Sequence, residues 1–364
     1  MRNTFGFILL FFGIGSYAQN CVFIPEKDCI NNLRIYIDRE GNLYPPADLY
    51  QFDSDIFLNP SQNKKFNKQN TSKLDTYFEK DETALAAVCD KLGITKDFAE
   101  LQDYLFQAYA NKINQEAKKG NRIIFLIHGY NNFQEESLSS FYLLKHKLSK
   151  YSAISFVEVY WDGLANNTKS TKIWSSAQVN SSYVGLGVRK LLNKVNEDVE
   201  IVLLTHSLGA SVATQALFNV DKWPKKYQKK LDTISNMIPT PPQKHITLCM
   251  IIPAIPGVNT FDDLNRTVEN NTSQHIKKII VGYNRKDKAL IKKIGLSRYF
   301  GATSLGCDGR GEVLKTKTEI SNFFPDILFK EINLGCKPMP KEHSIAEYMR
   351  ATRFDEFLDM VFLQ

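Results

Sequence analysis

Short apolar runs alternate with longer stretches in which apolar residues recur at helical spacing. A run such as residues 201–204 is apolar at every position, which is typical of a strand buried on both faces of a sheet. Strands and helices that alternate along a chain favour a mostly parallel sheet with helices on both faces. The pattern predicts six strands: one that starts at 122 and ends in the His-Gly pair 128–129, and others at 154–160, 201–204, 246–252, 276–283 and 327–334. It predicts helices at 82–92, 98–118, 135–148 and 181–195, a helix from 211 onwards, and a closing helix that ends at 362.

Other segments interrupt this alternation. Residues 33–44 alternate around a Glu-Gly-Asn turn and predict a β-hairpin, whereas residues 46–75 are polar and predict an irregular surface stretch. A second polar loop is expected at 166–176. Residues 222–244 are basic and contain several prolines. They predict a surface insertion, with a lid over a functional site as the alternative.

The first residues have the pattern of an export signal. A charged start, an apolar run at 5–15 and small residues after it are typical of a secretory signal peptide over residues 1–18. That pattern predicts a secreted or periplasmic protein. An uncleaved membrane anchor is one alternative. A lipid attached at Cys21 is another, although the Asn before Cys21 does not suit lipoprotein processing.

Composition and charge narrow the range of partners. With 43% hydrophobic and 23% charged residues the chain has the composition of a globular protein. The formal net charge of +7 suits either plain solubility or contact with an anionic membrane surface. No nucleic-acid-binding module is recognisable in the sequence. We therefore expect a small-molecule partner, and no nucleic acid.

Six cysteines take on a different meaning in an exported protein. An oxidising compartment allows Cys21 to pair with Cys29 and Cys307 with Cys336, but sequence alone does not fix the connectivity. Cys249 lies inside an apolar run and is predicted to be a buried free thiol. The cysteines lack metal-ligand spacing, so we expect neither a metal nor a cofactor.

Residues 205–209 (Thr-His-Ser-Leu-Gly) join a predicted buried strand to a predicted helix. A strand, a sharp turn with serine at its tip and a helix form a nucleophile elbow. The turn exposes the hydroxyl at the top of a sheet, and the helix N-terminus directs N–H groups at nearby negative charge. The usual pattern is G-x-S-x-G; Gly209 fits it, and Thr205 replaces the first glycine. The stretch predicts Ser207 as a nucleophile that attacks a carbonyl.

A serine hydroxyl needs a base to take its proton, and histidine suits that task at neutral pH. Of the six histidines, His343 alone lies shortly after the last predicted strand, at the carboxyl edge where open α/β sheets bind ligands. A surface histidine before the final helix is the alternative. Asp287 also follows a strand, and the order Ser, Asp, His suits a triad in which the acid orients the imidazole. Asp262 and Asp263 are alternative acids, and Asp287 would then be a solvated loop charge.

Four motifs carry a resemblance to a known family: residues 128–131 (His-Gly-Tyr-Asn), 205–209, 284–290 and 343–344. Together they resemble the α/β-hydrolase superfamily, and more narrowly a bacterial group of serine hydrolases with an HGYN loop. The similarity covers roughly residues 122–348. It implies the α/β-hydrolase fold, with an eight-stranded, mostly parallel sheet and helices on both faces, and a Ser-Asp-His triad. The chain then divides into the signal peptide 1–18, an N-terminal extension at 19–120 whose hairpin and helices pack on the core, and a catalytic domain at 121–364.

By analogy with that superfamily, the backbone N–H groups of Leu208 and Tyr130 are expected to form an oxyanion hole. Each well-placed donor stabilises the transition state by on the order of 3 kcal/mol. Tyr130 and Asn131 are also expected to line the substrate pocket, with a hydrogen bond that holds the loop as the alternative role. His206 is expected to point away from the site and pack.

These predictions combine into an exported serine hydrolase that cleaves carboxylic esters through an acyl-enzyme. Lipids and other acyl esters are the leading substrates, since export and an aromatic content of 12% suit apolar acyl chains, and peripheral contact with a membrane would fit them. Peptidases, thioesterases and acyltransferases use the same residues. A binding or interaction module that keeps the fold without catalysis is an alternative of a different class.

Overall fold

Seven parallel strands form one sheet in the part of the chain that the computed structural model describes. The described residues are 33–52, 73–164, 170–218, 237–239, 241–243, 245–261, 275–291, 303–335, 340 and 342–362. The strands are β1 (Leu33–Ile37), β2 (Arg122–Ile127), β3 (Ile154–Trp161), β4 (Glu200–His206), β5 (His245–Ile251), β6 (Ile276–Tyr283) and β7 (Leu328–Asn333). Their order across the sheet is β1-β3-β2-β4-β5-β6-β7, and every neighbouring pair is parallel. The predicted parallel α/β fold is confirmed, with seven strands in these residues where eight were expected.

Helices fill most of the connections between the strands. In chain order they are α1 (Leu74–Lys80), α2 (Glu82–Leu92), α3 (Phe98–Lys118), α4 (Gln134–Leu148), α5 (Ser170–Leu192), α6 (Gly209–Leu217), α7 (Val258–Phe261), α8 (Lys288–Ile291), α9 (Ser304–Cys307), α10 (Glu312–Phe323), α11 (Ile345–Met349) and α12 (Phe354–Phe362). The side chains of Asp81 and Asp97 cap α2 and α3 by accepting a backbone N–H of the first turn. The predicted bounds of these two helices are confirmed.

The central strands are covered on both faces. In β4 every residue after Glu200 is buried, and in β2 every residue after Arg122 is buried. Because successive side chains of a strand point to opposite faces of the sheet, an unbroken buried run requires packing on both. Helices α5 and α6 pack against each other, and α6 also lies against β2 and β4. The carboxyl ends of these strands are therefore held on a rigid base.

Three predicted segments differ from the structure. Residues 33–44 make the predicted turn, and backbone N–H groups of Asp38 and Tyr44 donate to the carbonyl oxygens of Asn42 and Tyr36 (both 2.9 Å). The returning arm is not a second strand, because it holds only an isolated antiparallel bridge between Ile37 and Leu43, and β1 itself pairs in parallel with β3. One edge of the sheet thus comes from the segment predicted to be an extension. The loop expected at 166–176 is helical from Ser170 onwards, and the closing helix is divided into α11 and α12.

A buried arginine closes the C-terminus of α6. Arg189 of α5 is fully buried, and its guanidinium donates to the carbonyl oxygens of Gln215 (2.7 Å), Ala216 (3.1 Å), Phe218 and Ile238 (3.4 Å). A helix leaves its last carbonyls without helical partners and carries a partial negative charge there, so a cation stabilises this end. Burial lowers the pKa of Arg189 to about 10, which leaves it charged at neutral pH.

Several predicted features lie outside the described residues: the signal peptide 1–18, Cys21, Cys29, Cys336, Asp262, Asp263 and most of the insertion at 222–244. Cys249 on β5 is fully buried and its thiol is free, as predicted. Among the helices that are described, none combines the length and the apolar character needed to cross a membrane. Within the same ranges, no group of three or more His, Cys, Asp or Glu side chains is arranged to hold a metal ion.

Candidate active site

Ser207 lies at the tip of a sharp turn between β4 and α6. Its φ of 55° is in the left-handed region, which residues other than glycine rarely adopt and which costs about 1 kcal/mol or more. Three backbone hydrogen bonds hold this conformation. The Ser207 N–H donates to the carbonyl of Ile251 (3.1 Å), and the Ser207 carbonyl accepts from the N–H groups of Ala210 (3.2 Å) and Ala254 (3.0 Å). The turn is therefore tied both to its own helix and to the chain around the end of β5.

Gly209 stands where the backbone leaves no room for a side chain. A Cβ atom at Gly209 would lie 2.6 Å from the carbonyl oxygens of both Ile127 and His128, a distance at which backbone would have to move. At position 205 the structure holds a buried threonine, whose hydroxyl donates to the carbonyl of Cys249 (3.4 Å). The close approach of the two chain segments thus demands glycine at 209 and tolerates a larger residue at 205.

Ser207, Asp287 and His343 come together at the carboxyl edge of the sheet. His343 Nε2 lies 2.8 Å from Ser207 Oγ, and His343 Nδ1 lies 2.7 Å from Asp287 Oδ2. An ionised carboxylate can only accept, so Nδ1 carries the ring proton and Nε2 is left to accept from the hydroxyl. This geometry lets an imidazole deprotonate a hydroxyl while a carboxylate orients the ring.

Four donors surround the Asp287 carboxylate. Oδ1 accepts from the backbone N–H groups of Ala289 (2.9 Å) and Leu290 (3.0 Å), and Oδ2 accepts from His343 and from the Tyr348 hydroxyl (2.5 Å). Burial by itself would raise the pKa of Asp287, but the hydrogen bond and charge of His343, together with the Tyr348 and Leu290 hydrogen bonds, lower it to about 2. Asp287 therefore stays ionised at neutral and mildly acidic pH.

Tyr348 and Asn284 complete this side of the site, and the sequence reasoning missed both. The Tyr348 hydroxyl donates to Asp287 and accepts from Asn284 Nδ2 (2.9 Å). Burial, followed by the Asp287 carboxylate, raises the pKa of Tyr348, so its hydroxyl keeps its proton. Closeness in sequence to the predicted site residues could have identified them, because Asn284 lies in the same loop as Asp287, and Tyr348 lies on α11, the helix that follows His343.

The HGYN loop (residues 128–131) reaches the nucleophile directly. A Cβ atom at Gly129 would lie 2.8 Å from the Cβ of Ser207, so glycine is what allows the loop to come this close. Tyr130 follows Gly129, and Leu208 follows Ser207. The two backbone N–H groups expected to act as oxyanion donors thus belong to the two segments that meet at the hydroxyl.

Asn131 and Tyr130 differ in what their surroundings support. Asn131 has a φ of 57°, and its N–H donates to the carbonyl of Gly163 (3.1 Å), which favours the role of holding the loop. The Tyr130 ring packs edge-on against Trp174, with the ring centroids 4.6 Å apart. Trp174 is buried and Tyr130 is only partly buried, so Tyr130 is the member of this pair that reaches solvent.

His128 holds the HGYN loop in its neutral form. Its Nδ1 lies 2.7 Å from the carbonyl oxygen of Gly129, and its Nε2 accepts from the backbone N–H of Trp161 (3.1 Å). Because a carbonyl only accepts and an N–H only donates, the ring carries one proton, on Nδ1. Burial lowers the pKa of His128 to about 4, against a smaller opposing effect of the hydrogen bond to Gly129.

His206 lies beside the site, so the expectation that it points away from it was wrong. Its ring centroid is 5.1 Å from that of His343, and the residue is buried. β4 ends at His206, at the edge of the sheet that carries the site. Burial, followed by the proximity of His343, holds the pKa of His206 well below its ordinary value, so its ring is neutral.

Comparison with known proteins supplies a family context. A family model described as "Alpha/beta hydrolase of unknown function (DUF900)" matches residues 106–304, more than half of the chain. The matched range contains Ser207 and Asp287 and ends before His343. No curated protein matches the chain.

Proposed function

Since the chain belongs to the α/β-hydrolase family of unknown function whose model it matches, we propose that it is a serine hydrolase that cleaves carboxylic esters through an acyl-enzyme. One observation carries the proposal: a single imidazole lies within hydrogen-bonding distance of both a serine hydroxyl and a buried carboxylate. The strained turn at Ser207 supports it, because backbone strain is often kept where function requires it.

In the proposed reaction, His343 Nε2 takes the proton as Ser207 Oγ attacks the carbonyl carbon of the ester. Asp287 keeps the imidazole in the required tautomer and stabilises the cation that forms. The carbonyl oxygen becomes negative, and the N–H groups of Leu208 and Tyr130 donate to it. His343 returns its proton to the departing alcohol. A water molecule, deprotonated in the same way, then releases the acid and restores Ser207.

Two further imidazoles near the site leave this proton transfer undisturbed. His128 and His206 are buried, and burial keeps both rings neutral at neutral pH. A cation that forms at His343 during the reaction is therefore not opposed by a positive charge on either of these two rings.

We propose acyl esters, lipids included, as the substrate class. The partly exposed Tyr130 ring, which packs on the buried Trp174, offers an apolar contact for an acyl chain next to the HGYN loop. The positive net charge suits peripheral contact with an anionic membrane surface. The signal peptide predicted at 1–18 would deliver the enzyme to the periplasm or the medium, where lipid and other acyl esters are exposed.

A fluorophosphonate probe tests the nucleophile. We expect the purified protein to be labelled covalently and the Ser207→Ala variant to lose the labelling. Ser211→Ala is the matched control, because Ser211 lies on the same helix α6 and its hydroxyl is hydrogen-bonded to that of Ser181 (2.9 Å). This control should be labelled like the wild type. Folded wild-type protein that stays unlabelled would contradict the enzyme and favour a binding module.

A substrate series tests the reaction class. We expect hydrolysis of p-nitrophenyl esters at a rate that depends on acyl-chain length, and hydrolysis of phospholipids presented in vesicles. Peptide amides assayed alongside should be cleaved far more slowly. Preferential cleavage of amides, or transfer of the acyl group to an added alcohol in place of water, would replace the esterase with a peptidase or an acyltransferase.

A further inference from the structure

Residues 161–164, which we call the clasp, contact both ends of the HGYN loop. The backbone N–H of Trp161 donates to His128 Nε2 (3.1 Å), and its indole N–H donates to the His128 carbonyl (3.0 Å). The two rings stack with their centroids 5.5 Å apart. At the other end, the carbonyl of Gly163 accepts from the N–H of Asn131 (3.1 Å). The position of the clasp therefore sets the position of the loop.

The clasp and the HGYN loop are packed so closely that there is no room for a side chain at Gly163. A Cβ atom at Gly163 would lie 2.9 Å from the carbonyl oxygen of Gly129 and 3.0 Å from the Cα of Tyr130. Gly129 is in turn packed against Ser207. A shift of the clasp would thus move the Tyr130 N–H relative to the hydroxyl. In an active site, a displacement of about 1 Å can lower the rate by about 100-fold.

Asp162 anchors the clasp. Its Oδ1 accepts from the N–H of Leu164 (3.0 Å), and its backbone carbonyl accepts from Asn180 Nδ2 (3.1 Å). Its Oδ2 accepts from Arg39 Nη2 (3.0 Å), and the side chains of Arg39 and Asp162 are 13% and 3% exposed. A carboxylate this deeply buried is stable as an anion only beside a cation or several donors, and Arg39 supplies the cation.

Arg39 reaches the clasp because of the parallel pairing of β1 with β3. Ile37 is in register with Trp161, so the chain after β1 runs beside the chain after β3. The turn that contains Arg39 is also packed against α5, where a Cβ atom at Gly41 would lie 2.5 Å from the carbonyl oxygen of Tyr183. This turn precedes the residues that the family model matches.

We propose that Arg39 is a positioning residue: through Asp162 and the clasp it fixes the HGYN loop against Ser207. Residues 33–44 then belong to the hydrolase site in the functional sense. They are then part of the catalytic unit, and not only an extension that precedes a catalytic domain beginning at residue 121. This inference rests on the proposed function, since it assigns Arg39 a part in presenting the Tyr130 N–H to the transition state.

The chain offers a matched control in Arg34. It lies on β1, ahead of the turn that contains Arg39, and donates through Nε to the buried Glu158 of β3 (3.1 Å), with the two side chains 19% and 1% exposed. Both arginines therefore join β1, or the turn that follows it, to a buried carboxylate. Glu158 lies before the clasp and is also bound by Lys145 and Tyr160. A purely structural role would make Arg34 and Arg39 equivalent in the kinetics of the folded protein.

The test compares Arg39→Gln with Arg34→Gln at a temperature at which melting curves show both variants folded. We expect Arg39→Gln to lower kcat for a p-nitrophenyl ester and the rate of fluorophosphonate labelling by about tenfold, with KM within about twofold of the wild type. Arg34→Gln should keep all three within about twofold. The effects of Arg39→Gln and Asp162→Asn on kcat should not add in the double variant, since each breaks the same contact.

Equal kcat values for the two arginine variants, or effects of Arg39→Gln and Asp162→Asn that add fully, would overturn the inference. In either case, continued labelling of the wild type would leave the proposed function standing; a wild type that cannot be labelled would overturn both. If Arg39→Gln does not fold, the pair Arg39→Lys and Arg34→Lys takes its place with the same readings. A lysine keeps the charge but loses the planar guanidinium, so a lower kcat is again expected at 39 alone.

Discussion

The two sides of the candidate site are held in place by different means. On the elbow side, Ser207 is fixed by backbone hydrogen bonds and by a contact that only glycine permits at 209. On the acid–base side, Asp287 and His343 are fixed by side-chain hydrogen bonds that extend to Tyr348. The comparison teaches that the first side is sensitive to added volume, whereas the second is sensitive to the loss of a single polar atom.

Asp287→Asn should break the acid–base side with the largest effect. An amide in place of the carboxylate cannot hold the His343 tautomer or stabilise its cation, so we expect kcat for ester hydrolysis to fall by about 10⁴-fold. Asp308→Asn is the control, since Asp308 is also buried and paired with Arg285 (2.8 Å) but has no contact with the imidazole in the structure. If kcat of the Asp287→Asn variant falls by less than about tenfold, the carboxylate has another role.

Gly209→Ala should break the elbow side through sterics. Because the new Cβ would meet two backbone carbonyl oxygens at 2.6 Å, we expect a loss of about 3 kcal/mol in the free energy of unfolding and a slower reaction with fluorophosphonate. Gly93→Ala is the control, because it measures the cost of backbone strain without a steric clash: Gly93 has a φ of 67°, and nothing lies within 4 Å of the new Cβ atom. Gly93→Ala should lower the free energy of unfolding by about 1 kcal/mol. Similar losses at both positions would refute the steric argument.

The two sides should also lose stability in different pH ranges. His128, on the elbow side, has a pKa of about 4 in the folded protein against an ordinary 6.5. The unfolded chain therefore binds this proton at a higher pH, and His128 alone should lower the free energy of unfolding by about 3 kcal/mol as the pH drops from 6.5 to 4. The depressed pKa of His206 adds a loss of the same sign below pH 6.5. The pKa of Asp287 is depressed from 3.8 to about 2, so its contribution of about 2 kcal/mol should be lost only below pH 4.

Denaturant unfolding at a series of pH values measures the two losses, and NMR titration of the imidazoles assigns the first. A His128 signal that titrates near pH 6.5 in the folded protein would contradict the burial argument.

Tyr348→Phe should have the smallest effect and sharpen the comparison most. It removes one donor from Asp287 without adding volume, so we expect kcat to fall by about tenfold, KM to stay unchanged and stability to fall by about 1 kcal/mol. The downfield NMR signal of the proton between His343 and Asp287 should move. Tyr160→Phe is the control, because Tyr160 donates to another buried carboxylate, Glu158 (2.7 Å). If both variants lower kcat equally, the effect of Tyr348 is structural.

The sequence allowed much of the site to be predicted because its groups stand where strands end. Parallel strands end on the same edge of a sheet, so Ser207, Asp287 and His343 could be assigned to one edge from their places after predicted strands. The elbow added a local pattern that can be read from five residues. These are short-range signals, and the structure brings the three side chains within hydrogen-bonding distance.

Contacts between distant side chains could not be predicted in this way. Tyr348 meets Asp287 across 61 residues, and Arg39 meets Asp162 across 123, and no local pattern reports either pairing. The hairpin expected at 33–44 was right about the turn but missed the parallel pairing of its first arm, because an alternating run followed by a turn suits both a hairpin and an edge strand. The parallel pairing of β1 depends on β3, which lies more than 100 residues later in the chain.

Arg189 has a consequence for how this protein can be altered. One guanidinium holds the carbonyl oxygens of Phe218 and Ile238, so any chain that runs from one to the other starts and finishes at fixed points. Replacing Arg189 would release both points at once and leave the last carbonyl oxygens of α6 without that donor.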